Sequence, residues 1–335
     1  MVEYLILIII SLSLSGILFI PFISLLYKLK FQNPHNLSVD MLGRVSLFNK
    51  LHGHKVGIPT GGGILMVLIS VAGSVLYQVI FNHNVGFAFI VLAVTLGSFG
   101  LLGLLDDMQK FFKLQKSGVF GLRIRHKFLI QLLLSFVISL LLYSYGGKSV
   151  SGLWYIFYST LVIAFFANAF NITDGLDGLA GGLLMIVLVA LWIAALNTPF
   201  GRDVATFISI LFGTVLAFMY FNISPARLFM GDTGALAFGA FIAVVSLLAN
   251  ISIPLFVIGG VFVVEGLSSL LQWWSLKFRN GKRIFKIAPL HHHFEALGWE
   301  EPKVVMRFWL VGIVCAVYGL LLSQIIYFSK SAFRF

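Results

Sequence analysis

Asn168-Ala-Phe-Asn171-Ile-Thr-Asp174-Gly175-Leu176-Asp177-Gly178-Leu-Ala-Gly-Gly182 sets two carboxamides and two carboxylates between segments that are almost pure hydrocarbon. Groups so expensive to hold at a membrane usually belong to a site. In a continuous helix each three-residue step turns through about 300°, so Asn168 and Asp177 would end on opposite faces. A turn must intervene, and Asp174-Gly175 is the expected place. Asp174 is then expected to cap the next helix, whose free backbone N–H groups would face an anion such as a phosphate. The plainer alternative is that these polar residues mark an ordinary tight turn.

Outward from this stretch the chain stays apolar. Of its 335 residues 59% are hydrophobic and 10% charged, with a mean hydropathy of +1.01. That composition excludes a soluble domain around one core and implies an all-α polytopic membrane protein, a single integral membrane domain over 1–335. Apolar runs lie at 2–27, 61–82, 85–105, 128–146, 151–170, 178–197, 204–221, 233–250, 253–276 and 304–328, each near the length of about 20 residues that spans a bilayer. About ten transmembrane helices are therefore expected. The first run is too long for a signal-peptide core and lacks a basic flank before it, so it is expected to remain as an anchor.

Charge orients the spans. With ten of them, 19 of the 23 Lys and Arg fall in loops on one side, at 28–55, 110–127, Arg227 and 277–307; Lys148, Arg202, Lys330 and Arg334 fall on the other. By the positive-inside rule the basic loops are expected to be cytoplasmic and both termini outside. This accounts for most of the net charge of +11. A nucleic-acid partner is not expected, because no soluble domain of useful size remains to carry one. The lone Cys315 lies inside the last run and cannot form an internal disulfide.

The acids gather on the cytoplasmic side. Asp106-Asp107 follows the third run directly and precedes Lys110, Lys113 and Lys116. Adjacent carboxylates repel unless a cation or proton sits between them, and Mg²⁺ favours carboxylate and phosphate oxygens. Asp232, in Phe229-Met-Gly-Asp-Thr-Gly234, opens the eighth run and has the position of a helix cap. Nine of the twelve acids face the cytoplasm, and five of those nine, Asp106, Asp107, Asp174, Asp177 and Asp232, sit at span ends among glycines and polar residues. That pattern suggests a metal with a phosphorylated ligand. Three consecutive histidines, His291-His292-His293, cannot all point one way, so a zinc site from the triplet alone is not expected; phosphate binding or hydrogen-bond donation fits better. Lys55 and Thr60, ahead of Gly61-Gly62-Gly63, are placed to reach a phosphate or base. Glu265 and Gln272 lie seven residues apart, on one face of the ninth run.

The combination resembles the polyprenyl-phosphate N-acetylhexosamine-1-phosphate transferases. The resemblance is carried by Asp106-Asp107, Asn168-x-x-Asn171-x-x-Asp174-Gly-x-Asp177-Gly-Leu, Phe229-Met-Gly-Asp232 and Pro289-x-His291-His292-His293-Phe-Glu. It runs from about His52 to Arg307, and His291 through Arg307 point to the branch that acts on phospho-N-acetylmuramoyl-pentapeptide. What the resemblance implies is a homodimer of ten-helix subunits with the active site at the cytoplasmic face. It implies transfer of phospho-N-acetylmuramoyl-pentapeptide from UDP-MurNAc-pentapeptide to undecaprenyl phosphate in the lipid bilayer, giving lipid I and UMP with Mg²⁺ present. Carried over by position, Asp232 would be the Mg²⁺ ligand, with Asp106 and Asp107 as further candidates. Asp106, Asp107, Asp232 and His291 would form the catalytic set. Lys55, Thr60, Lys110, Asn168, Asn171, Asp174, Gly175, Leu176, Asp177, Asn222, Phe229, Gln272, His292 and His293 would bind substrate, Phe229 by stacking on uracil. The chain reads Gly57-Ile58-Pro59-Thr60-Gly61-Gly62-Gly63 where the family commonly has Gly-Thr-Pro-Thr-Met-Gly-Gly. Direct attack by the acceptor phosphate is favoured over an aspartyl intermediate, because a phosphate monoester is largely ionised near pH 7. Two rivals remain: a sister transferase with another UDP-sugar, and an ion-coupled transporter. The transporter is disfavoured because the polar groups cluster at one face and no repeat is visible.

Overall fold

The computed structural model describes residues 1–32, 53–81, 85–112, 124–146, 152–196 and 198–332. Lys113 and Lys116, like the loops around positions 40 and 115, lie outside the described residues. Within them the chain forms α1 (Val2–Lys28), a short 3₁₀ turn at Gly53–Lys55, α2 (Gly62–Ile80), α3 (Phe87–Phe112), α4 (Ile124–Gly146), α5 (Gly152–Thr173) and α6 (Leu179–Ala195). It continues through α7 (Gly201–Asn222), α8 (Asp232–Leu248), α9 (Ser252–Ile258), α10 (Gly260–Phe278), α11 (Leu290–Ala296) and α12 (Glu301–Ala332). Pairing outside helices is confined, among these residues, to isolated bridges between Gln32 and Pro59 and between Thr60 and Phe229. In an apolar medium a helix satisfies its own backbone, so hydrocarbon-rich runs become helices.

Helix α8 is the axis of the bundle. Its sequence is apolar on every side and rich in Ala and Gly, and every residue from Thr233 to Leu248 is buried, as expected of a helix with no polar face. It packs against α3 and α5, with α2 and α6 also in contact. Small residues let backbones approach closely. A Cβ at Gly239 would lie 2.4 Å from the Phe166 carbonyl oxygen, and one at Gly103 would lie 2.2 Å from the Asp232 carbonyl oxygen. Helix α1 lies along α7 at the periphery and leaves Leu5, Ile9, Ile17 and Ile20 exposed.

Among the described residues seven helices are long and apolar enough to cross a membrane: α1, α2, α3, α4, α5, α7 and α12. The pair α9–α10 makes an eighth if taken as one span, but it is bent by 82°. Run 253–276, expected as a single span, is thus broken near Gly259, whose backbone ends α9 and begins α10. The runs at 178–197 and 233–250 form α6 and α8, each of 17 residues, or about 25 Å at 1.5 Å per residue. That is shorter than a typical hydrocarbon core of about 30 Å.

Candidate functional site

The close approach at Gly103 brings the end of α3 onto the start of α8. One turn further along, Asp107 turns both carboxylate oxygens to α8: the Asp232 N–H donates to Oδ1 (3.1 Å) and the Thr233 N–H to Oδ2 (3.0 Å). The Thr233 hydroxyl adds a 2.8 Å bond to Oδ2. First-turn N–H groups lack partners within their own helix. Asp107 supplies them from another helix, and its charge suits the positive end of the helix dipole. Asp232, expected at a cap position, is instead the first helical residue after Gly231 and makes no side-chain capping bond.

Its carboxylate instead meets side chains from α3, α4 and α5. Lys110 Nζ sits 2.6 Å from Asp232 Oδ2 and 3.0 Å from Asp106 Oδ2. Lys127 Nζ reaches the same two oxygens, at 2.9 Å from Asp106 and closer still to Asp232. Asn171 Nδ2 donates to Asp232 Oδ1 (3.0 Å). Asp106 and Asp232 therefore aim one oxygen each at a shared position that ammonium groups occupy. A cation is what the position accepts, and hard carboxylate donors suit Mg²⁺, which is commonly held by one or two carboxylates with water and substrate phosphates. Among the described residues no group of three or more His, Cys, Asp or Glu forms a ready-made metal cage, so a divalent ion there would draw further oxygens from water or ligand.

Beside this cluster runs the polar stretch from Asn168 to Gly178. Helix α5 stops at Thr173 and α6 starts at Leu179, so the expected turn is present. The expected cap is not: Gly178, with φ of 78°, leads into α6 with no side-chain capping bond. Glycine takes positive φ at no steric cost, and the chain turns there without needing Asp174. Asp174 is partly exposed. Its carboxyl is pushed up to about 7 by burial and by the negative charges of Asp232, Asp107 and Asp177, with Lys55 opposing. Asp177 is buried, its Oδ2 accepting the Ala226 N–H (2.9 Å) and its Oδ1 lying 2.7 Å from Lys55 Nζ. Glu301 closes the group by accepting from Lys55 Nζ (2.5 Å) and from the Asp177 N–H (2.6 Å). Asn222 pins the turn by accepting the Gly178 N–H (3.0 Å) and donating to the Leu228 carbonyl (2.8 Å).

Phe229 and Thr60 meet through the backbone. The Phe229 N–H donates to the Pro59 carbonyl (2.9 Å), and the Phe229 carbonyl accepts from Gly61 (3.0 Å) and Gly62 (2.8 Å). Lys55 Nζ lies 6.0 Å from the Phe229 ring centre. Gly61 has φ of 110°, a conformation that a larger side chain adopts only with strain.

The three histidines diverge as expected. His291 Nδ1 is 3.0 Å from Glu265 Oε2, and His292 Nδ1 is 2.6 Å from Glu295 Oε2. His293 Nδ1 accepts the Lys286 N–H (3.1 Å). A Cβ at Gly175 would lie 2.5 Å from His291 Nε2 and 3.2 Å from His292 Nε2, so both rings stand against the Asp174–Gly178 turn. Gln272 uses its amide on the following loop, accepting from Ile284 and Phe285 and donating to the Phe285 carbonyl. Asn168 points to Gln131 (2.6 Å) and to its own helix rather than to the acids. Leu176 is buried in the core.

Most expected residues thus meet at one end of the bundle, where α3 and α5 finish and α2, α8 and α12 begin. Three features that matter are not distinguished by the sequence: Lys127 among the loop lysines, Glu301, and Glu265 as the partner of His291. Lys127 and Glu301 carry no local signal among their charged neighbours, and Glu265, legible as an acid within an apolar run, does not name its partner; each role depends on what the side chain meets far along the chain.

A family model described as glycosyl transferase family 4 matches residues 87–250. Several curated proteins named phospho-N-acetylmuramoyl-pentapeptide-transferase are similar over most of the chain. One from Chloroflexus aurantiacus is 40% identical over 295 residues, 82% of this chain and 79% of the relative. One from Rickettsia montanensis is 37% identical over 301 residues, 80% of each, and one from Solibacter usitatus 36% over 316, 81% and 82%.

Proposed function

The chain belongs to the phospho-N-acetylmuramoyl-pentapeptide-transferase family, and on that footing we propose how it works. It is a phospho-sugar transferase that moves phospho-N-acetylmuramoyl-pentapeptide from UDP-MurNAc-pentapeptide to undecaprenyl phosphate, forming lipid I and releasing UMP. The observation that carries the reading is the convergence of Asp106 and Asp232 on Lys110 and Lys127 beside the Asp174–Gly178 turn.

The reaction sets anion against anion. An acceptor phosphate oxygen forms a bond to the donor phosphorus that carries the sugar, while the bond from that phosphorus to the UMP oxygen breaks and UMP departs with the electron pair. Lys110 and Lys127 lower the repulsion by exchanging carboxylate for phosphate oxygens, and fixed charge of this kind usually contributes most of the rate enhancement in such sites. Asp232 with Asp106 would hold Mg²⁺, which would supply further neutralisation of phosphate charge. Lys55 stays with Asp177 and Glu301 and shapes the nucleotide side with Phe229 and Thr60. Asp107 keeps Asp232 aimed by holding the start of α8.

Direct attack is the step we favour. Asp107 spends both oxygens on α8, and Asp106 Oδ2 is engaged by two lysines, which argues against either as a nucleophile. Transfer of radiolabel from each candidate UDP-sugar to undecaprenyl phosphate in detergent tests the whole reading; transfer from another aminosugar donor alone would replace it. A lipid-free UMP burst equal to the enzyme concentration, lost in Asp106→Asn, would replace direct attack by a covalent route.

The enzyme does this with about ten spans, both termini outside and the site at the cytoplasmic face of the inner membrane, in a homodimer as the family resemblance implies. Support for the orientation comes from the 19 cations on one side. Labelling of a cysteine at position 115 by an impermeant thiol reagent from outside intact cells would reverse it. A monomeric mass in mild detergent, with full activity, would remove the dimer.

A further inference from the structure

Glu265 is wholly buried on α10, within a helix that is otherwise apolar along most of its length. Its carboxylate is not solvated and meets no Lys or Arg within ion-pairing distance among the described residues. Both its oxygens go to one residue: Oε1 accepts the His291 N–H (3.1 Å) and Oε2 lies 3.0 Å from His291 Nδ1. If both oxygens accept, the proton between Oε2 and Nδ1 belongs to the imidazole. That fixes the tautomer and leaves Nε2 with a bare lone pair.

Nε2 is itself fully buried and has no hydrogen-bond partner. It stands over Gly175, where a Cβ would come within 2.5 Å, and the ring of His292 lies beside it with centres 4.1 Å apart. A buried acceptor left unpaired costs free energy, and each such group in a folded protein calls for an explanation, a missing ligand among them. Glu265 from α10, His292 from its own helix and the Gly175 backbone from the turn face the ring.

We propose that Glu265 is a positioning residue: it holds His291 as the Nδ1–H tautomer so that Nε2 accepts a hydrogen bond from an N–H or O–H of the nucleoside half of the donor. This rests on the reading of the turn as the donor site. Glu265→Gln keeps the shape but reverses the instruction. The Gln oxygen can satisfy the His291 N–H while its amide N–H₂ donates to Nδ1, which moves the imidazole proton to Nε2 and turns acceptor into donor.

The experiment uses the full chain in detergent, labelled with ¹⁵N-histidine, the His291 signals being assigned by their loss in His291→Gln. In the unmutated protein Nδ1 is expected protonated and Nε2 bare, with the Nε2 resonance moving on addition of UMP. Glu265→Gln is expected to raise KM for the UDP-linked donor about tenfold, with KM for the lipid acceptor and kcat changed by less than about threefold. A protonated Nε2 in the unmutated protein, an Nε2 signal indifferent to UMP, or an unchanged donor KM in a folded Glu265→Gln would each overturn the proposal. The tautomer is read without the variant, so a variant that fails to fold leaves the test standing. An unmutated preparation that binds UMP but transfers nothing would count against the transferase reading and not against the tautomer.

Discussion

Lys55 and Lys127 each end against two carboxylates, but their surroundings differ. The Lys55 side chain is 5% exposed and its partners Asp177 and Glu301 are 3% and 12% exposed. Those partners also hold the Ala226 and Asp177 backbone N–H groups, so the cluster ties the 3₁₀ turn, the α5–α6 turn and the start of α12 together. Lys127 is 18% exposed and shares its two oxygens with Lys110, which is 32% exposed. There two ammonium groups compete for one pair of oxygens, and either can leave without stranding a backbone donor. A closed, backbone-anchored ion cluster is a structural lock, whereas an open one with duplicate cations is where an incoming cation or anion can exchange.

The contrast is broken most sharply by removing each lysine. Lys55→Met strands two largely buried carboxylates, and such a loss costs about 3–5 kcal/mol. A clear fall in the thermal unfolding midpoint in detergent is the expected result; an unshifted midpoint would mean the cluster is no lock. Asp232→Asn, in the open cluster, keeps the shape and deletes the charge. It should lower kcat on the order of 10²-fold or more, equivalent to about 2.7 kcal/mol, with the midpoint nearly unmoved. A near-normal rate with the same Mg²⁺ dependence would reduce Asp232 to a structural residue.

Lys127→Met is expected to be milder, because Lys110 remains. The transfer rate should drop about tenfold while stability changes by less than about 1 kcal/mol, the scale of partly solvated pairs. Equal losses of stability in the Lys55 and Lys127 variants would erase the difference between a closed and an open cluster.

A last effect is read from pH rather than from a lost contact: Asp174 lies between the clusters with its carboxyl pushed up to about 7. An unfolded chain releases this proton near pH 4, so between about pH 4 and 7 the folded protein holds a proton that the unfolded one lacks. Stability contributed by Asp174 must then fall as pH rises through that window and level off above it. Asp174→Asn should remove this slope, so that unfolding midpoints of variant and unmutated protein diverge from about pH 5 to 7.5 in favour of the variant. Parallel profiles would show that Asp174 is ionised throughout.

How much of this was legible follows from the range of the interactions. Each apolar run became a helix or a bent pair, and the break after Thr173 was required by the geometry of Asn168 and Asp177 on a helix. The divergence of His291, His292 and His293 follows from their adjacency. The cap expected of Asp174 failed because Gly178 reaches positive φ and turns the chain unaided. The cap of α8 was missed because it comes from Asp107, 125 residues before Asp232. The bend of 82° near Gly259 left no mark that apolar patterning detects, since both arms are apolar.

By itself the sequence determined the class of the molecule, the positions of its helices and which acids gather at one end. Those properties rest on local demands: in an apolar surrounding the backbone must bond to itself, and charged groups must stay near the ends of spans. Tertiary structure alone decided which charges meet. Lys127 joins Asp106 and Asp232, Glu301 closes on Lys55, and Glu265 takes His291; at the first of these meetings Gly103 lets α3 approach the start of α8 closely enough to bring Asp106 and Asp232 together. A side chain's partner depends on how helices cross and at what depth, and neither is written in the run of residues around it.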